Sequence, residues 1–139
     1  MSQTITLKLP DETLRRYRQG AIAARKDLED FVLERLNESA PPVADDLPSP
    51  LREELLAMEH KGNQWLLQIA QARLPVAQQR VYRRLLRANS EGALTPREQA
   101  KLSALGEQAR RLTLRKAHAY LLLKWRGHSV PLVDSVQAL

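Results

Sequence analysis

Polar and apolar residues alternate with a period of two near the start of the chain, over residues 4–9 (TITLKL). Such alternation is typical of a half-buried β-strand, here with Ile5, Leu7 and Leu9 on its apolar side. The next residue is a proline, which ends the predicted strand because it has no N–H to donate to a sheet. The spacing of apolar residues then becomes helical and predicts a first helix over about residues 11–24.

A second helix is predicted after a short turn. Asp27 stands where an N-terminal capping residue is expected, and apolar residues recur behind it at helical spacing. Residues 39–50 then contain four of the eight prolines of the chain, so no helix is expected to cross them. We therefore predict an N-terminal domain over residues 1–40, an extended linker over 41–49 and a second domain over 50–139.

The second domain carries helix signals only. Ser49-Pro50 and Pro75 each predict a helix start, and Gly62-Asn63 an interruption between them. Thr95 and Glu98 form a capping-box pattern that opens a long helix ending near Gly127. The predicted apolar face of that helix consists of Leu102, Leu105, Ala109, Leu112, Leu114, Ala117, Leu121 and Trp125. The expected fold class is mainly α: one strand and two helices, followed by a helical bundle.

Composition and charge limit the class of ligand that the chain is expected to bind. The 139 residues have a formal net charge of +6 and include 16 Arg against 6 Lys. By segment, the charge is +4 over residues 1–26, −6 over 27–46 and +8 over 47–139. An arginine-rich excess favours an acidic partner, and nucleic acid is the commonest one. With only six aromatic residues, base stacking on an aromatic platform is not expected.

Other classes are made improbable by what the sequence lacks. No cysteine is present, which excludes disulfides, cysteine zinc sites and a thiol nucleophile. We find neither a signal-peptide pattern nor an apolar run of roughly 20 residues, so we expect a cytoplasmic protein without membrane contact. No hydrolase, metal-ligand or phosphate-loop motif occurs, and we predict no metal, no cofactor and no enzymatic activity.

Residues 4–38 resemble the ribbon–helix–helix DNA-binding family of repressors and antitoxins. The strand TITLKLP, the helix DETLRRYRQGAIAA, the turn ARKD and the helix LEDFVLERL carry the resemblance. The chain departs from the family in three places. Arg25 stands where the turn normally has glycine, Asp27 replaces the usual Ser or Thr, and Gly20 lies inside the first helix.

The resemblance implies an intertwined homodimer whose paired strands enter the major groove of DNA. Base contacts would come from Thr4, Thr6 and Lys8. A phosphate would be held by backbone N–H groups at the start of the second helix, those of Lys26, Asp27 and Leu28. The nearby cations that would add phosphate attraction are Arg15, Arg16, Arg25 and Lys26. The dimer core would comprise Ile5, Leu7, Leu9, Leu14, Tyr17, Leu28, Phe31, Val32 and Leu36. Such a protein is a sequence-specific transcriptional regulator, and the antitoxin branch of the family adds a toxin as protein partner.

The second domain leaves alternatives open. A basic stretch of arginines and a leucine-rich segment predict a surface for nucleic acid or protein, formed by Arg80, Arg83, Arg84, Arg87, Leu121, Leu122 and Trp125. Through that surface the chain could instead be a non-specific nucleic-acid-binding or scaffolding protein. A more distant alternative is a helical ribonuclease of the HEPN type, which Arg111 and His118 resemble in spacing.

Overall fold

The computed structural model describes residues 1–129 of the chain. Its helices are α1 (Asp11–Ala23), α2 (Leu28–Ser39), α3 (Ser49–Ala57), α4 (Asn63–Ala70), α5 (Val76–Ser90) and α6 (Pro96–Trp125). A short 3₁₀ turn, Met58–His60, separates α3 from α4. The predicted mainly α class is confirmed. None of these helices combines the length and apolar character that crossing a membrane requires.

The predicted strand is wrong, and the ribbon–helix–helix fold that depended on it is corrected with it. Within residues 1–129 no strand forms, and the chain reaches α1 through an irregular segment, residues 1–10. The physical reason is that a strand exists only when its N–H and C=O groups pair with a neighbour. The described residues contain one alternating segment and a set of helices, so they offer no second strand to provide that pairing.

The chain divides into two compact units, Met1–Pro42 and Val43–Leu139. The division falls inside the proline-rich segment predicted as a linker. That segment is not all free spacer, because Val43 and Leu47 pack against the hydrophobic core of the second unit. Here the first is called the N-terminal unit and the second the C-terminal unit.

The 30-residue helix α6 is the central element of the C-terminal unit. Its first half packs against α5 through Leu85, Leu102 and Leu105. Its second half packs against α3 and α4 in a larger core, whose buried members are Leu55, Met58, Leu66, Ala70, Ala119, Leu122 and Leu123. The two clusters therefore follow one another along α6. This helix connects α5, packed on its first half, with α3 and α4, packed on its second half.

The predicted apolar face of α6 is right as far as Leu114, which packs against the larger core, and wrong beyond it. Leu102 and Leu105 are buried, whereas Ala117, Leu121 and Trp125 are exposed. Leucines surround the second half of α6, so their spacing does not indicate which side the core covers. The buried side there carries Ala119, Leu122 and Leu123 instead.

Three helices end in the same hydrogen-bonded motif, in which one residue adopts a left-handed conformation. At the ends of α5 and α6 that residue is a glycine, Gly92 (φ 68°) and Gly127 (φ 82°). After α1 it is Arg25, with φ 57°. The N–H of Lys26 donates to the Ala21 carbonyl at 3.0 Å, and the Arg25 N–H donates to the Ile22 carbonyl at 3.1 Å. The turn thus has the backbone conformation that normally uses glycine, with an arginine in its place.

Candidate nucleic-acid interface

The N-terminal unit is a helical hairpin in which an aromatic ring of α2 packs against α1. The ring of Phe31 on α2 lies directly over Gly20 of α1, where an added Cβ would be 2.6 Å from the Phe31 Cζ atom. Tyr17 meets the same ring edge-on, with centroids 6.2 Å apart. Glycine inside α1 is therefore explained by packing, because any side chain there would collide with the ring.

The hairpin leaves most of its apolar surface uncovered. In the N-terminal unit only Ala21 is buried among the hydrophobic residues. The predicted dimer-core residues Ile5, Leu7 and Leu9 are 79%, 61% and 41% exposed, and Leu36 is 57% exposed. The other five are half-buried in the single chain, namely Leu14, Tyr17, Leu28, Phe31 and Val32. In the single chain, most apolar side chains of the N-terminal unit are therefore exposed or only half-buried.

The predicted base-contacting residues are all solvent-accessible. Thr4, Thr6 and Lys8 are exposed and alternate with the apolar residues of the same segment. Lys8 forms no ion pair within residues 1–129. The segment therefore presents two hydroxyls and one free ammonium group beside its apolar row.

The predicted phosphate contacts are divided between free and neutralised cations. Arg15 pairs with Glu12 at 2.5 Å, and Lys26 pairs with Glu34 at 2.5 Å. The hydrogen bond from Lys26 lowers the pKa of Glu34, so this carboxylate keeps its charge. By contrast, Arg16 and Arg25 make no ion pair in the part of the chain that the structure describes.

The start of α2 offers fewer free donors than the resemblance implied. The backbone N–H of Lys26 is already bonded to Ala21, which removes it from a phosphate clamp. Asp27 has the extended backbone of a capping residue, but its side chain makes no capping hydrogen bond. The backbone N–H groups at the first turn, from Asp27 and Leu28 onward, are therefore left for an external acceptor.

A second set of predicted residues lies on the C-terminal unit. Arg80, Arg83, Arg84 and Arg87 are exposed on α5. Leu121 and Trp125 are 44% and 53% exposed, whereas Leu122 is fully buried and belongs to the core. Of the predicted surface, the structure therefore brings together the four arginines but excludes Leu122.

In the C-terminal unit, Arg111 is engaged in an ion pair and His118 is buried; these are the two residues of the ribonuclease alternative. The guanidinium of Arg111 donates to Glu54 of α3. His118 is only 4% exposed. Burial lowers the pKa of His118, against smaller opposing effects of the Glu59 carboxylate and a hydrogen bond to the backbone of Leu55. A neutral imidazole inside the core has no access to an RNA backbone.

Sequence reasoning missed a buried cation on α6. Lys116 is 5% exposed, and its Nζ has no hydrogen-bond partner within residues 1–129. Burial, with the positive charge of Arg73, lowers its pKa. The sequence does contain a signal for the burial of Lys116. This residue lies seven positions after Ala109 of the predicted apolar face, a spacing that returns a helix to the same side.

Comparisons with known proteins add nothing to these observations. No protein-family model, curated protein or solved structure matches this chain. Among residues 1–129, no three His, Asp or Glu side chains converge as a metal site. The geometry of the two units is therefore the basis for assigning a function.

Proposed function

We propose that the chain binds DNA as a homodimer assembled through its N-terminal unit and acts as a transcriptional regulator. The observation that carries the proposal is the uncovered apolar surface of that unit beside an exposed polar and cationic row. Neither a strand nor a paired ribbon is part of the proposal. It rests on the exposure of named side chains.

A second copy is the partner that best fits the apolar surface. A unit of 42 residues with one buried hydrophobic residue is close to the size of about 40 residues below which a chain usually needs a partner or cross-links to fold. Covering one exposed leucine stabilises a protein by roughly 1.5–3 kcal/mol. A second copy is present wherever the chain is made, and a two-fold interface covers the same patch on both chains.

The polar row supports DNA as the ligand. Thr4, Thr6 and Lys8 are exposed and lie next to Ile5, Leu7 and Leu9 in the chain, so each copy would bring two hydroxyls and one ammonium group close to the dimer interface. Threonine hydroxyls and a lysine ammonium group are donors that suit base edges and phosphates. Arg16 and Arg25 supply unpaired positive charge on the same unit. A toxin as protein partner, by contrast, stays a prediction from chain layout alone.

The dimer is tested by a matched pair of substitutions. Leu9 and Leu56 are each 41% exposed, the first in the N-terminal unit and the second on α3. We expect Leu9→Glu to halve the molecular mass measured by light scattering at micromolar concentration, because the new charge would be buried between two chains. Leu56→Glu should leave the dimer intact. Equal masses for both variants and the parent would refute this interface.

The DNA contact is tested on the intact dimer. The double variant Thr6→Ala with Lys8→Ala should weaken binding to the preferred duplex at least tenfold and reduce its advantage over random DNA. Lys124→Ala removes one exposed lysine of the C-terminal unit and serves as the control. If the double variant binds the preferred duplex as tightly as Lys124→Ala does, the N-terminal row does not contact DNA.

A further inference from the structure

The C-terminal unit carries an arginine face on α5, formed by Arg80, Arg83, Arg84 and Arg87. At 3.6 residues per turn these four positions fall within an arc of about 100° and extend over about 10 Å of helix. The opposite side of α5 holds Val81, Tyr82 and Leu85, which pack against α6. The core thus fixes α5 so that all four guanidinium groups project from one side.

The four guanidinium groups are not neutralised by the fold. None of them lies within 4.0 Å of a carboxylate in the part of the chain that the structure covers. Arg83 donates one hydrogen bond of 3.4 Å to Gln79. Other arginines of the same unit are paired, including Arg52 with Asp45 and Arg110 with Glu107. All four arginines of the face therefore lack a carboxylate partner, whereas Arg52 and Arg110 are paired.

Two carboxylates lie near the arginine face and leave it positive. Glu98 is close enough to Arg84 for the guanidinium to contribute, as the smallest of several causes, to lowering the Glu98 pKa. Its carboxylate is held by the backbone N–H of Thr95 at 3.1 Å. Glu91 follows the last turn of α5 as its C-terminal cap residue and forms no ion pair with Arg87 among residues 1–129.

The composition of the face fits a phosphate backbone better than a protein surface. Protein interfaces bury an apolar centre, commonly with aromatic residues. The arc has arginines at its centre, and its apolar member is Val76 at the helix start. Guanidinium groups bind phosphate oxygens with two parallel hydrogen bonds. Duplex DNA presents about one negative charge per 1.7 Å of axis, which a row of about 10 Å can follow.

We propose that the arginine face of α5 is a second, sequence-independent binding surface for the phosphate backbone of duplex DNA. It would act in addition to the N-terminal unit and would not depend on contacts made by Thr6 or Lys8. Its contribution would raise affinity for every duplex equally, since phosphates carry no sequence information.

The test is the salt dependence of full-length protein binding to a fluorescent random-sequence duplex. We expect Arg83→Ala with Arg84→Ala to reduce the slope of log K against log salt concentration by about 2, close to 0.9 for each lost phosphate contact. Arg52→Ala with Arg110→Ala removes the same net charge from ion-paired arginines and should leave the slope unchanged. Arg80→Ala with Arg87→Ala should reduce the slope by the same amount. Agreement between the two double variants would show that the effect does not come from a local folding defect in one of them.

The result that would overturn the proposal is an equal slope for the arginine-face variants and the paired-arginine control. If poly-glutamate then binds the parent and not the arginine-face variants, the face serves an acidic protein, and the proposal is also overturned. The result of this salt-dependence test is independent of the DNA-binding test of the N-terminal unit. A reduced slope with unchanged sequence preference would support this surface even if Thr6→Ala with Lys8→Ala had no effect.

Discussion

Phe31 packs against the bare backbone of Gly20, so a side chain at residue 20 would force the aromatic ring or the helix to move. Replacing a helical glycine by alanine ordinarily stabilises a helix by about 1 kcal/mol. Here the new Cβ would lie 2.6 Å from a ring atom, and overpacking of this kind costs roughly 1–3 kcal/mol. The collision should outweigh the gain in helix propensity.

We therefore predict that Gly20→Ala destabilises the N-terminal unit, measured as a lower denaturant midpoint. Gln19→Ala, on the exposed side of the same helix, should be neutral or slightly stabilising. Adding Phe31→Leu should recover part of the loss by removing the ring. A more stable Gly20→Ala variant would contradict the described packing.

Arg25 provides a second test of the hairpin. An L-residue in the left-handed region is strained by about 1–2 kcal/mol, and Arg25 has φ 57°. Arg25→Gly should raise the free energy of unfolding by up to about 1 kcal/mol, while Arg25→Ala keeps the strain and should not. The comparison of these two variants by urea unfolding separates backbone strain from loss of the arginine charge.

The capping box of α6 should contribute measurably to the C-terminal unit. The Thr95 hydroxyl accepts from the Glu98 N–H at 3.2 Å, and the Glu98 carboxylate accepts from the Thr95 N–H at 3.1 Å. Thr95→Ala is expected to lower the free energy of unfolding by about 1 kcal/mol. Ser49 is the first helical residue of α3, whose N-cap position is held by Pro48 without a side-chain hydrogen bond. Ser49→Ala is therefore the control, and equal effects would argue against the capping box.

His118 should make stability depend on pH. Burial lowers its pKa in the folded state below the ordinary value of 6.5, so the unfolded chain gains a proton first as pH falls. Stability should be flat well above pH 6.5 and should decrease as pH falls below it, by at most about 1.4 kcal/mol per pH unit.

His118→Gln should remove this dependence in thermal melts between pH 7.5 and 5. His60 is exposed, and His60→Gln should retain the dependence. A parent protein whose stability does not change between these pH values would show that His118 does not titrate differently in the two states.

Local signals predicted most of the helical architecture. Proline and glycine positions marked the helix starts and ends, and the capping box at Thr95 formed as expected. Gly62 caps α4, so the predicted interruption there is also real. These features depend on a few adjacent residues, which is why one sequence is enough to predict them.

The errors arose where a distant partner decides the outcome. Alternation at residues 4–9 indicates apolar and polar sides, but it does not supply a second strand. Leu121 and Trp125 fit the predicted apolar face of α6 and yet are exposed, because leucine spacing alone cannot choose between the sides of this helix. In the sequence Gly20 is only a departure from a family pattern, and the position of the Phe31 ring explains it.

The central claim is that the chain binds DNA as a homodimer, and sedimentation of a fluorescent duplex with increasing protein tests it most directly. The account predicts complexes whose mass rises in steps of two chains, each chain being 15.8 kDa, at micromolar protein and moderate salt. Steps of a single chain, or no complex with DNA under those conditions, would contradict it.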